Sequence, residues 1–324
     1  MYEFPANSRI VCLGDSYTVH GFWPLELQRL LGESLPERRL RVFQCGIGGH
    51  TMGTTCERVS WDLTPYHPTH VIVLLGANDS WYFRFRGGYG GEEAAQRNAE
   101  LCRQYEEDCR HLIGRVRALT GAEVLLCTPV EMQDISPEEQ KEAGDAATDF
   151  KAVNRLLREF AEIIRRVAAE ERAPLLDIAP DFRAAKEIWQ DGEDALYAPD
   201  HVHPSVAGYR ILARCVARAI GLPLSPITRQ AELDALPFSP VLLQKKETEG
   251  LIRCTAHIRF DTLHSPDLRG APQDIITAHW LDRRDAPDCP AWLRNTIRAY
   301  LIWLGRQEVL FDRMERLTEA CLAR

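Results

Sequence analysis

The chain has 324 residues, of which 45% are hydrophobic and 27% charged, with a formal net charge of −8. This composition can build a large buried core and excludes collagen-like, fibrous coiled-coil and disordered classes. The excess of 47 acidic over 39 basic residues argues against nucleic acid or an anionic membrane as the main partner, and no apolar run nears the ~20 residues that span a bilayer. The amino-terminal stretch lacks a basic region followed by an apolar one, so a cytoplasmic protein is expected. Its 10 cysteines contain no C-x-x-C pair, which removes zinc-ribbon and thioredoxin-like readings. Reduced thiols fit that compartment, with disulfides in an exported enzyme as the alternative.

Five short apolar runs, 9–14, 39–45, 70–75, 122–127 and 173–178, read as strands. They are near-continuous in apolar character, the pattern of a parallel sheet covered on both faces. Helical periodicity appears at about 23–31, 93–119 and 148–169, and again after His203, where Pro204 suits a first turn. Alternating β and α segments predict a doubly wound α/β layer fold, in which functional groups collect beyond the carboxyl ends of the strands.

Two long loops sit at that end. Residues 80–93 gather Trp81, Tyr82, Phe83, Arg84, Phe85, Arg86 and Tyr89, and residues 131–149 are strongly acidic, which reads first as a solvated charge run. The length admits two domains of ~150 residues. Residues 1–221 read as one unit, 222–240 as a proline-spaced linker and 241–324 as an extension. The extension holds a strand over 251–260 with one apolar face and an amphipathic helix over about 291–322. Its apolar faces imply packing on the core or on another subunit, and the second option would make the protein a homo-oligomer.

The strand ends carry the chemistry. The first ends in Gly14-Asp15-Ser16. A serine there presents its Oγ at the active edge, with its N–H at a helix start that favours negative charge; a plain N-cap is the bland alternative. The second ends in Gly46-Ile47-Gly48-Gly49, which mimics a dinucleotide fingerprint. In dinucleotide binders, however, the glycines follow the first strand and an acid ends the next one. The third ends in Gly76-Ala77-Asn78-Asp79, where an amide can donate to an oxyanion or simply make an Asx turn. Asp200 and His203 stand three apart before the last core helix, so the carboxylate can hold Nδ1–H and leave Nε2 as a base. A metal set of Asp200, His201 and His203 with His67 and His70 is disfavoured, because the last two flank the opposite end of the third strand.

All four blocks, in this order, resemble the SGNH hydrolase superfamily, the GDSL-type esterases and lipases, over about residues 8–220. The resemblance implies a flavodoxin-like three-layer α/β/α domain with a five-stranded parallel sheet. It also implies a Ser16–His203–Asp200 triad and an oxyanion hole made by the Ser16 N–H, the Gly49 N–H and the Asn78 amide. The family's second block carries an asparagine where Gln44 or Cys45 stands here, which leaves Gly48 as an alternative to Gly49.

The expected activity is hydrolysis of small-acyl, acetyl-type esters, carbohydrate esters among them, through an acyl-enzyme and without metal or organic cofactor. Asp15, Trp81, Tyr82 and Phe83 are the expected pocket residues. A longer-chain lipase, lysophospholipase, thioesterase or acyltransferase would use the same triad. A non-catalytic ligand-binding protein on this fold is the alternative from a different class.

Overall fold

The computed structural model describes residues 2–19, 22–80, 92–134, 149–188, 196–197, 201–204 and 206–224. The aromatic loop, most of the acidic loop, Asp200, the linker beyond Leu224 and the predicted extension lie outside the described residues.

Five strands, β1 (Arg9–Gly14), β2 (Arg41–Gly46), β3 (His70–Leu74), β4 (Glu123–Cys127) and β5 (Leu175–Leu176), form one parallel sheet in the order β2-β1-β3-β4-β5. This is the flavodoxin-like order, in which the strand order reverses between β1 and β3 and opens a crevice at the carboxyl edge. Every residue of β3 is buried, as the unbroken apolar run implies. The expected fifth strand over 173–178 shrinks to two paired residues, Leu126↔Leu175 and Cys127↔Leu176. Asp177 explains the short edge: its carboxylate accepts from Thr128 Oγ1 at 3.1 Å and from the Arg165 fork at 2.8 and 3.0 Å, so the chain turns into a helix instead of extending the ladder.

The helices are α1 (Ser16–Val19), α2 (Phe22–Ser34), α3 (Met52–Leu63), α4 (Glu92–Thr120), α5 (Phe150–Glu170), α6 (Ala179–Ile188) and α7 (Val206–Ile220). Helix α2 packs on α7, and α4 packs on both α3 and α5, giving the layers on the sheet. Along α5, Val153, Leu156, Leu157, Phe160, Ile163, Ile164 and Val167 are buried at three- and four-residue spacing. Leu222 is part of the buried core, and Leu224 packs against it. Among the described residues no helix is long and apolar enough to cross a membrane. The side chains of Cys12, Cys45, Cys56, Cys109, Cys127 and Cys215 are buried and act as small core hydrophobes.

Close approach requires a glycine at position 208. Gly208 lies in the first turn of α7, and a Cβ there would sit 1.9 Å from the Leu196 carbonyl oxygen. Gly208→Ala must push the 196–197 segment away, so a loss of about 2 kcal/mol or more is expected. Denaturant midpoints compared with wild type check this; an unchanged midpoint would show that the segment moves freely.

Candidate active site

The site grows from the carboxyl ends of β1, β2 and β3. Beyond Gly14 the chain enters α1, and Asp15 caps it: its buried carboxylate accepts from the Tyr17 N–H at 2.9 Å. The capping reading of this turn therefore holds for Asp15, and it leaves Ser16, half-buried, with its hydroxyl at the crevice. His203 reaches it from the loop before α7, with Nε2 at 2.8 Å from Ser16 Oγ. Contacts from three directions hold that loop. The Gln133 N–H donates to His201 O at 2.9 Å, the Tyr17 hydroxyl donates to Val202 O, and Pro204 bridges to Tyr197. His201 occupies the left-handed region at φ 61° and its Nδ1 lies 3.2 Å from Gln133 Oε1, which makes it a loop residue beside His203.

Asn78 and Asp79 split their work. The Asn78 amide donates to Asp15 Oδ2 at 3.2 Å and to His50 O at 3.1 Å. Asp79 accepts from the Met52 N–H at 2.8 Å, holding the start of α3 beside the site. Burial pushes the Asp15 carboxyl up to about 6, against the opposing pull of the Tyr17 N–H, His203 and Arg58. Burial also raises Asp79 to about 7; Met52 opposes the rise, while Asp15 and Asp108 add to it. The His50 imidazole is depressed to about 3 by burial and by Arg58, so it is neutral here at ordinary pH.

The glycine turn lies alongside. The His50 N–H closes it onto Ile47 O at 3.3 Å, with Gly49 at φ 80°, a conformation that glycine takes without steric cost. A Cβ on Gly48 would sit 3.8 Å from Ser16 Cβ, whereas one on Gly49 would meet nothing within 4 Å. Gln44, one of the two positions that match the family's second-block asparagine, is buried and donates to Thr18 O at 3.1 Å, supporting α1. A small cavity of about 10 Å³, the space of roughly one water, is lined by Asp15, Tyr17, Leu74, Leu75, Ala77, Pro129 and Val130.

Comparison with known families decides the class of this site: the model of the GDSL-like lipase/acylhydrolase family matches residues 12–211. The chain belongs to that family. It is therefore an ester hydrolase by family, and its three-layer fold is the family's. It is 27% identical to the acetylxylan esterase of Geobacillus stearothermophilus over 192 residues, 59% of this chain and 77% of the relative. The crystal structure of that esterase aligns with a TM-score of 0.51 at 23% identity, over 69% of this chain and 98% of the other. Solved catalytic mutants of it replace a serine, an aspartate and a histidine, the last two three positions apart. An α/β hydrolase from the metagenome of Lake Arreo, Spain, aligns at TM-score 0.51 and 24% identity, over 68% of this chain and 99% of its own. A gut microbial diltiazem-metabolizing enzyme aligns at TM-score 0.65 and 14% identity, over 98% of this chain and 96% of its own.

In this GDSL-family site the structure brings together Ser16, Gly48, Gly49, Asn78, Asp15 and His203, while Asp200, Trp81, Tyr82 and Phe83 lie outside the described residues. His70 opens β3 at the far end of the sheet, facing Glu123. Among the described residues no three His, Cys, Asp or Glu side chains group as metal ligands.

Sequence reasoning overlooked several supporting residues. Tyr17 and Gln133 carry no motif. Glu131 was read with a solvated loop, yet it is buried. Burial alone would raise its carboxyl, but Arg158 at 2.9 Å on both oxygens, Arg183 and Lys186 hold it below its ordinary value. Its backbone oxygen accepts from the Tyr197 hydroxyl, so this buried carboxylate anchors the segment that carries Gln133 to the His203 loop.

Proposed function

We propose that this family member hydrolyses small-acyl esters, acetyl esters of carbohydrates foremost, through an acyl-enzyme on Ser16. The observation that carries the reading is the 2.8 Å approach of His203 Nε2 to Ser16 Oγ at the mouth of the crevice. Neutral His203 takes the hydroxyl proton as Oγ attacks the ester carbonyl, then gives it to the departing alcohol. Water, deprotonated by the same nitrogen, attacks the acyl-enzyme and releases the acid. Asp200 is assigned to the His203 Nδ1–H, in keeping with the aspartate–histidine spacing of the Geobacillus esterase variants.

The oxyanion is assigned to the Ser16 N–H, the Gly49 N–H and Asn78 Nδ2. Both Asn78 N–H groups have acceptors in the free protein. The bond to Asp15 fixes the amide plane, and the bond to His50 O is the one a developing oxyanion competes for.

A short acyl group is what this reading assigns to the site. The Geobacillus relative's description as an acetylxylan esterase supports it. Rates on acetyl, butyryl and octanoyl aryl esters test it: kcat/KM should fall from acetyl to octanoyl, by about tenfold or more. A monotonic rise towards octanoyl would assign the site to long-chain lipids instead.

A further inference from the structure

Arg58 lies on α3, outside every motif of the site, and its side chain is fully buried together with that of Asp62, its ion-pair partner one turn on. Its guanidinium donates through Nη2 to Gly14 O at 2.6 Å and through Nη1 to Cys45 O at 3.3 Å, with Thr55 Oγ1 at 3.4 Å. These two carbonyls belong to the ends of β1 and β2, where the ladder closes with Gly14↔Gly46. Beyond that pair the chains part, one to Asp15 and Ser16 and the other to Ile47, Gly48 and Gly49. The Gly14 oxygen also accepts from the Ile47 N–H at 3.1 Å, so both of its lone pairs are engaged.

We infer that Arg58 is a positioning residue. By clamping the Gly14 and Cys45 carbonyls it fixes the spacing between the turn that bears Ser16 and the turn that bears Gly49. The inference rests on the proposed ester hydrolysis at Ser16 and adds the group that holds its oxyanion donors in register.

The physical case has three parts. First, rotation of the Gly14–Asp15 peptide would carry the next peptide with it, and that next unit bears the Ser16 N–H. Second, the arginine fork is planar with its donors at set angles, so it can span two carbonyls and a carboxylate together, which a lysine ammonium on one flexible stem cannot. Third, a buried ion pair is a poor means of stabilisation, because apolar residues of like volume often serve as well. A pair aimed at the two peptide units that launch the catalytic turns is better explained by orientation.

Arg58→Lys and the double variant Arg58→Met/Asp62→Leu separate orientation from stability, since the first keeps the charge and the second removes both charges. Each is purified with wild type and Ser16→Ala, and melting temperature, kcat and KM on an aryl acetate are measured. In folded protein kcat should drop by about 10- to 100-fold, as for a reacting group displaced by a fraction of an ångström to an ångström, with KM within about twofold. A folded variant with wild-type kcat overturns the positioning role. So does failure of both variants to fold, which would make the pair purely structural. If wild type itself does not turn over the ester, or Ser16→Ala matches it, the hydrolase reading falls instead, and the two failures are told apart.

Discussion

Ser16→Ala is expected to abolish ester turnover, with kcat falling on the order of 10⁴- to 10⁶-fold, the range seen when the nucleophile of a serine–histidine pair is removed. Without Oγ there is no atom to form the acyl-enzyme, and His203 Nε2 loses the hydroxyl it faces at 2.8 Å. The fold should be untouched. Ser16 is only half-buried, the cap on α1 is supplied by Asp15, and the core beneath is held by β1 and α1 residues such as Leu13 and Tyr17. Two measurements check this: turnover of an aryl acetate, and labelling by a fluorophosphonate probe, which should mark wild type once and the variant not at all. Wild-type labelling of Ser16→Ala would move the nucleophile elsewhere.

Asn78→Ala should cost about 10²- to 10³-fold in kcat with little change in KM, the usual loss for one oxyanion donor. The same substitution strips Asp15 Oδ2 of its partner, so a stability loss of about 1–3 kcal/mol should accompany it. That part depends on pH. Burial places the native Asp15 carboxyl at about 6, against about 3.9 in an unfolded chain. The native state therefore binds a proton in the window between those values that the unfolded state does not, and the Asp15 contribution to stability grows as pH falls through it. Removing Asn78 takes away a donor that favours the carboxylate, so the variant should gain more stability than wild type between pH 7 and 4. Melting curves across that range read the difference; parallel curves would mean that the Asn78 amide does not govern the Asp15 charge. A variant with full kcat would take Asn78 out of the oxyanion hole.

Much of the fold was legible because parallel strands covered on both faces are written as unbroken apolar runs, and β1 to β4 appear where those runs lie. Two helices lie outside the stretches read from helical periodicity. Helix α3 begins Met52-Gly53-Thr54-Thr55, a start with poor helix propensity. It forms because Thr51 and Thr54 exchange capping bonds and because Asp79, 27 residues on, accepts the Met52 N–H. The second of those bonds exists only once β3 lies beside β2's turn. Helix α6 had a readable signal in Pro180 near its start followed by Phe182 and Ala185 on one face.

The site divides in the same way. The GDS, GG, GAND and DHVH blocks were visible because each is local, a few residues at a strand end or helix start whose chemistry is stated by residue type. Their supports were not. Nothing near Arg58 announces that it will reach Gly14 O, nor near Glu131 that it will hold Arg158 and Arg183. Those contacts join segments tens of residues apart, and a charged side chain in a sequence reads first as solvated.

The unbroken apolar runs and the order of the blocks were therefore enough to indicate an α/β core, its family resemblance and the candidate groups at three strand ends and before the last core helix. The folded chain alone decided that His203 Nε2 meets Ser16 Oγ, that the Asn78 amide is tethered to Asp15, and that a buried arginine joins the two turns between which the ester would sit. The physical reason is one of range. Strand and helix preferences and turn chemistry act over a few residues and are carried by the sequence itself. Hydrogen-bond directions, burial and the resulting shifts in protonation depend on which distant segments the sheet order brings within about 3 Å of each other.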